Sequence, residues 1–189
     1  MAVVSSPQGM PGAALDQTDT ILLLLGAETA DPRQRFRCDG ITRLEKLLFL
    51  LEHETSFKNE VAEPFTFEAY HYGPYSPEVY SAVDFLKAMR LVEEQQIDIG
   101  SGLDASEQAE ALDSADINQG SPYVERQLRL TEDGKAVAKV LSTRVSPEGK
   151  RALTEIKDRY GSMPLRQLLR YVYSSYPDFA EKSRIKHAL

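Results

Sequence analysis

LKAMRLVEEQQ (Leu86–Gln96) and QLRLTEDGKAVAKVL (Gln127–Leu141) decide the fold. The first leaves an apolar helical stripe and runs on into Leu91–Ile99, which reads as a strand. The second starts in a returning strand, Val124–Leu130, and passes without a linker into a helix that Thr131 caps. Glu132 and Asp133 sit in the first turn of that helix, where carboxylates meet the positive end of its dipole. Between the strands, Glu93 to Asn118 holds eight carboxylates and no Lys or Arg, in a background of Ala, Ser and Gln. That composition predicts an acidic, mobile loop over 100–122.

Upstream, Pro77 stands at a first helical position, where a missing N–H costs nothing, and Ser76 is placed to cap it. Val79, Ala82, Val83, Leu86 and Met89 form the buried stripe of this helix, with Leu86 and Met89 expected against the hairpin. Phe65, Phe67 and Ala69 alternate with polar or aromatic neighbours, a short strand signal. Asp39 reads as the cap of a helix carrying Ile41, Leu44, Leu47, Leu48 and Leu51 on one face. Earlier still, Asp16 and Asp19 open a helix through Ile21–Leu25 that Gly26 closes, and Glu28–Arg37 is a polar connector. Downstream, helices begin near Pro147 and Pro164, the second with Leu165, Leu168, Leu169 and Val172 on one face.

The expected fold is therefore mainly α with a small β-hairpin, in an order that resembles a winged helix with additional C-terminal helices. Residues 1–14 are expected as a flexible tail, 15–142 as the winged-helix-like domain and 143–189 as a helical extension packed on it. One departure matters: a helix-turn-helix needs a helix directly before its recognition helix. Here that place is held by FTFEAYHYGPYSP (Phe65–Pro77), which reads as extended and turn-like.

Composition narrows the function classes. With 42% hydrophobic and 27% charged residues the 189-residue chain has a globular composition, which excludes wholesale disorder and collagen-like repeats. A single cysteine, Cys38, excludes an internal disulfide and a Cys-rich zinc module. The longest aliphatic run, Ile21–Leu25, is far too short to cross a bilayer, and Met1–Ala14 has neither charge nor a long apolar core, so a cytoplasmic location is expected. The net charge of −7 is unevenly spread: up to Asp133 there are 10 Lys/Arg against 24 Asp/Glu, and after it 12 against 5. Such asymmetry points to two faces of opposite character.

Three stretches resemble a known family: KLLFLLE (Lys46–Glu52), FTFEAYHYGPYSPEVYSAVDFL (Phe65–Leu86) and LRLTEDGKAV (Leu128–Val137). They are similar to the SocA-like, Panacea-domain antitoxins and their YwgA-like relatives. In that family a Phe-Glu-Ala-aromatic stretch leads into Tyr-Gly-Pro and then Pro-x-Val-Tyr at a helix start. The matching residues are Phe67–Tyr70, Tyr72-Gly73-Pro74 and Pro77–Tyr80. The closing LRQLLRYVYSSYPDFAEKSRI (Leu165–Ile185) looks more like the YwgA-type branch. The resemblance implies a small prokaryotic, cytosolic module that binds other proteins, often as the antitoxin of a toxin pair.

Physical reading of the same motif points to a binding surface. Gly73 permits backbone conformations closed to other residues, while Pro74 fixes its own φ and restricts Gly73 to extended geometry. The expected product is a rigid corner presenting Tyr70, His71, Tyr72 and Tyr75, continued by Ser76, Pro77 and Tyr80 into the next helix. Tyrosines on a stiff corner supply contact area for few rotatable bonds. Each tyrosine singly also suits the core, so the expectation is a patch with at least two exposed.

Chemistry is sparse. His53, His71 and His187 lie on different elements without metal-ligand spacing, so no metal or cofactor is expected. Cys38 reads as a partly buried thiol, not a nucleophile paired with His53. No phosphate-loop, dinucleotide or nucleophile-elbow motif occurs, and no catalytic residue is assigned; His71 is the best candidate for any acid–base role. As a DNA binder the chain has Lys87, Arg90, Arg126 and Arg129 near the expected wing, offset by Glu78, Asp84 and the acidic loop. Lys150, Arg151, Lys157, Arg159, Arg166 and Arg170 form a separate basic set. The expectation is a non-enzymatic protein-interaction module, its acidic loop steering or covering a basic partner; the alternative is a winged-helix transcriptional regulator.

Overall fold

The computed structural model describes residues 15–98 and 124–180. The expected tail over 1–14, the acidic loop over 100–122 and His187 lie outside the described residues. Helix α1 (Gln17–Gly26) starts as the sequence expects: Asp16 accepts from the Asp19 amide at 2.8 Å, and Asp19 accepts from the Asp16 amide at 3.2 Å. This capping box satisfies two of the amides a helix start leaves unpaired.

After α1 come a short 3-10 turn (Pro32–Gln34), strand β1 (Arg37–Asp39) and helix α2 (Ile41–Glu54). Asp39 does not cap α2. The N-cap is Gly40, at φ +90, with no side-chain cap bond. The Asp39 carboxylate accepts instead from Gln127 Nε2 at 2.7 Å and Gln34 Nε2 at 3.4 Å. Strand β1 lies at the end of the stretch expected as a connector, because what makes it a strand is a partner ninety residues away.

A 3-10 turn (Phe57–Glu60) and a hairpin of β2 (Glu68–Tyr70) and β3 (Gly73–Tyr75) separate α2 from α3 (Pro77–Ala88). The strand signal over 65–70 is paired only from Glu68; Phe65 is buried all the same and Phe67 packs against the core. In α3, Val79, Ala82, Val83 and Leu86 are buried as expected. Met89 is not: it follows the helix, is 56% exposed, and precedes Arg90 at φ +57, where the chain turns into β4 (Val92–Asp98).

Strand β4 pairs antiparallel with β5 (Val124–Leu130), from Val92↔Leu130 to Asp98↔Val124. β1 adds on the other side through Arg37↔Arg129, Cys38↔Leu128 and Asp39↔Gln127, giving the order β1-β5-β4. Helix α4 (Glu132–Ser142) begins where Thr131 Oγ1 accepts from the Gly134 amide at 3.0 Å. Helices α5 (Pro147–Tyr160) and α6 (Leu165–Ser175) follow, and a last 3-10 turn spans Pro177–Ala180. The architecture is mainly helical with small antiparallel sheets.

α2 is the axis of the molecule: every residue from Thr42 to Glu52 is buried, not only its leucine face. α5 and α6 pack along it, while α1 packs on α3 and α4. The charged residues this buries all have partners. Arg43 Nη1 donates to the carbonyls of Gly161 at 3.2 Å and of Met163, serving groups that the end of α5 leaves exposed. Glu54 accepts from Tyr160 at 2.8 Å and Tyr171 at 2.6 Å, tying α2, α5 and α6 together.

Candidate functional site

The β2–β3 hairpin turns at His71 and Tyr72, between the paired Tyr70 and Gly73. Gly73 takes φ +88, the left-handed side, rather than the extended geometry read from Pro74. A side chain there would also meet Tyr173, whose ring carbon lies 2.7 Å from the position a Cβ would take. Only glycine fits on both counts.

The corner is bolted down from α2 by an ion pair that the sequence reading missed. Lys46 Nζ donates to Glu45 Oε2 at 2.5 Å and to the Pro74 carbonyl at 2.6 Å, and Glu45 Oε1 accepts from the Ser76 amide at 2.9 Å. Both side chains are almost completely buried. They take up backbone groups that flank Tyr75, much as a neighbouring strand would. Burial pushes the Glu45 carboxyl up and the Lys46 ammonium down, each opposed by the charge of the other. Ser76 holds the N-cap position of α3 as expected, but without a side-chain cap bond: it is fully buried, and its hydroxyl lies 3.4 Å from Glu78 Oε2.

A row of rings runs from the hairpin onto α3: His71 and Tyr70 have centroids 4.2 Å apart, Tyr70 and Tyr75 4.9 Å, and Tyr75 and Tyr80 5.4 Å. Tyr70 alone of the corner tyrosines is exposed, at 43%, so the expected pair of exposed tyrosines is corrected to one. Tyr72, Tyr75 and Tyr80 are half-buried. They do not vanish into the core, because they line a cavity of ≈430 Å³ with Tyr70, His71, Gly73, Ile41, Thr42, Glu45, Lys46 and Arg126. Burial, the Glu45 charge and Tyr75 raise the Tyr80 hydroxyl well above its ordinary pKa, keeping it a neutral donor. Nδ1 of His71 is buried and has no hydrogen-bond partner among the described residues. Of the expected site residues, Tyr70, His71, Tyr72, Gly73, Tyr75 and Tyr80 thus meet in one place. Pro74 and Ser76 hold it from behind, and Pro77 is exposed at the start of α3.

The residues proposed for nucleic acid are placed differently. Lys87 lies 2.6 Å from Glu94, and Arg126 Nη1 lies 3.8 Å from the same carboxylate. Arg129 donates to Gln95 at 3.2 Å, and Arg90 stands exposed in the turn before β4. From the C-terminal basic set, Lys157 is lost to solvent: it is 3% exposed and donates to the Leu25 carbonyl at 2.5 Å. Cys38 is buried in β1, fully and not partly, while His53 stacks on Phe49 at 4.0 Å near the other end of α2. A helix of that length separates them by roughly 20 Å.

Among the described residues no group of three His, Cys, Asp or Glu side chains is arranged to hold a metal ion, and no helix is long and apolar enough to cross a membrane. Comparison of the chain with family models, curated proteins and solved structures gives no match.

Proposed function

We propose that this chain is a cytoplasmic, non-enzymatic protein-interaction module of winged-helix-like architecture, antitoxin-like in action, that occludes a surface of a partner protein with its Tyr70–Tyr80 corner. The observation that carries the reading is the ring row that runs from Tyr70 and Tyr75, on a hairpin fixed by the buried Glu45–Lys46 pair, to Tyr80 on α3. Such a surface loses little conformational freedom on binding, since both its backbone and its rings are already held. The resemblance of Phe67–Tyr80 to Panacea-domain antitoxins supports the same assignment. Co-purification with the product of an adjacent open reading frame tests it. Tyr70→Ala with Tyr75→Ala is expected to weaken that complex by about 30-fold or more, the scale of aromatic anchors. A complex indifferent to the double substitution rules out the corner as the contact.

A DNA-binding regulator is the second reading, favoured by one observation. The strand order β1-β5-β4, with α3 leading into β4 and α4 leaving β5, supports it as an order compatible with a helix, wing and following helix. Against it, Lys87 and Arg126 share Glu94, so two of the four wing-side bases face an acid before any phosphate arrives. A gel-shift series on the DNA upstream of its own gene is expected to show no salt-sensitive shift. A shift that weakens steeply with salt would reverse the order of the two readings.

A further inference from the structure

The cavity behind the tyrosine corner has features that a flat protein contact would not use. At ≈430 Å³ it lies in the range of small-molecule sites, and its lining converges from α2, the hairpin, α3 and β5. Its walls include the neighbouring rings of His71, Tyr70, Tyr75 and Tyr80, each tilted 34–45° to the next. Flat aromatic walls accept a flat ligand.

Charge selects further. Lys46 and Arg126 contribute two positive charges to the lining, and Glu45 one negative. Both Glu45 oxygens are engaged, one by Lys46 and one by the Ser76 amide, so the carboxylate has little left to offer a ligand. Lys46 has three N–H groups and uses two of them on Glu45 and Pro74. Arg126 is 55% exposed at the rim, and its contact with Glu94, at 3.8 Å, is long enough to give way. His71 contributes its ring to the lining beside Tyr70. Ile41 and Thr42, in the first turn of α2, also line the cavity. That end of α2 has no side-chain cap, so its positive dipole end is not offset by a capping oxygen.

We propose that this cavity is a binding site for a small planar anion, an aromatic or heteroaromatic ring bearing a carboxylate or a phosphate. The ring stacks along Tyr70, Tyr75 and Tyr80, and the anionic group is held on the Arg126 side of the cavity. A cationic ligand in the manner of an aromatic cage is disfavoured, because Arg126 opposes it and the Glu45 carboxylate is already taken up by Lys46 and the Ser76 amide. The site shares Tyr70, Tyr75 and Tyr80 with the proposed partner surface, but its test uses the chain without any partner and turns on Arg126, so the two readings can fail separately.

Four probes that share a ring and differ in charge test it on the full chain: benzoate, phenyl phosphate, benzyl alcohol and benzylamine. Binding is read by saturation-transfer NMR and by tyrosine fluorescence, which no tryptophan obscures in this chain. At least one of the two anions is expected to bind about tenfold or more tightly than the alcohol, with the amine weakest. Which anion wins distinguishes a carboxylate ligand from a phosphate ligand. Arg126→Gln, a rim substitution that leaves the buried pair intact, is expected to weaken the anions about three- to tenfold and to remove most of the salt dependence. Tyr75→Phe keeps the wall and removes a hydroxyl, so it separates stacking from hydrogen bonding. Equal binding of all four probes, no binding by any of them at millimolar concentration, or anion binding indifferent to Arg126→Gln would each overturn the proposal.

Discussion

Glu52 shows how much a single position depends on its surroundings. It is 4% exposed in the last turn of α2, and its carboxylate accepts from the Phe65 amide at 3.1 Å. Burial raises its pKa to about 7, with Glu78 adding to the shift and the Phe65 amide and Lys58 opposing it. Between the ordinary value of 4.5 and about 7, the folded chain holds a proton that the unfolded chain has released, so stability falls as pH rises through that window. Glu52→Gln keeps an acceptor for Phe65 and removes the titration. It is expected to match the parent protein near pH 4.5 and to exceed it above pH 7 by on the order of 2 kcal/mol in urea denaturation. A difference between the two that does not change with pH would show that Glu52 ionises freely in the fold. Nothing in KLLFLLE distinguishes this glutamate from a solvated one, because its protonation is set first by burial and then by Glu78, both of which depend on the chain's return over α2.

At the scale of elements, the link between α2 and the β2–β3 hairpin carries the most consequence. Lys46→Met would strand the Glu45 charge in the core and leave the Pro74 carbonyl unpaired, an expected loss of about 3–5 kcal/mol by urea denaturation. Adding Glu45→Leu removes the stranded charge and should recover part of that loss. Recovery stays incomplete because the Ser76 amide and Pro74 carbonyl then both lack partners. Full recovery in the double variant would mean that the pair contributes nothing to holding the corner. The apolar positions of α2 are legible as a leucine stripe, and the Tyr-Gly-Pro corner as a turn. Their connection is not, since an adjacent Glu-Lys on a helix ordinarily reads as a solvated pair.

Across the whole molecule, the 143–189 stretch expected as an extension completes the core. Tyr160, Leu168, Leu169 and Val172 are buried, and α5 and α6 cover α2. A chain ending at Ser142 would expose that side of α2, including Arg43, whose carbonyl partners lie at 161 and 163. It is therefore expected to lose cooperative unfolding, measured by circular dichroism against temperature. A sharp two-state transition in the truncated chain would instead make 15–142 an independent domain. The charge asymmetry also changes meaning at this scale. Part of the basic excess after Asp133 is structural, as Lys157 at the end of α1 shows, and is not surface offered to a partner.

Local chain chemistry, acting within a turn or two, is legible from the residues alone. It set the Asp16 and Thr131 caps, Pro77 at the start of α3, the stripe of α6 and the bounds of β5. Caps and apolar periodicity act over three or four residues, so they are readable without the fold. Long-range packing makes Arg37–Asp39 a strand, turns Asp39 to Gln127 instead of α2, and brings Glu45, Lys46 and Arg126 to the tyrosine corner around one cavity. These features arise from contacts between residues far apart in sequence, and the burial of a charge depends on which partner those contacts bring to it.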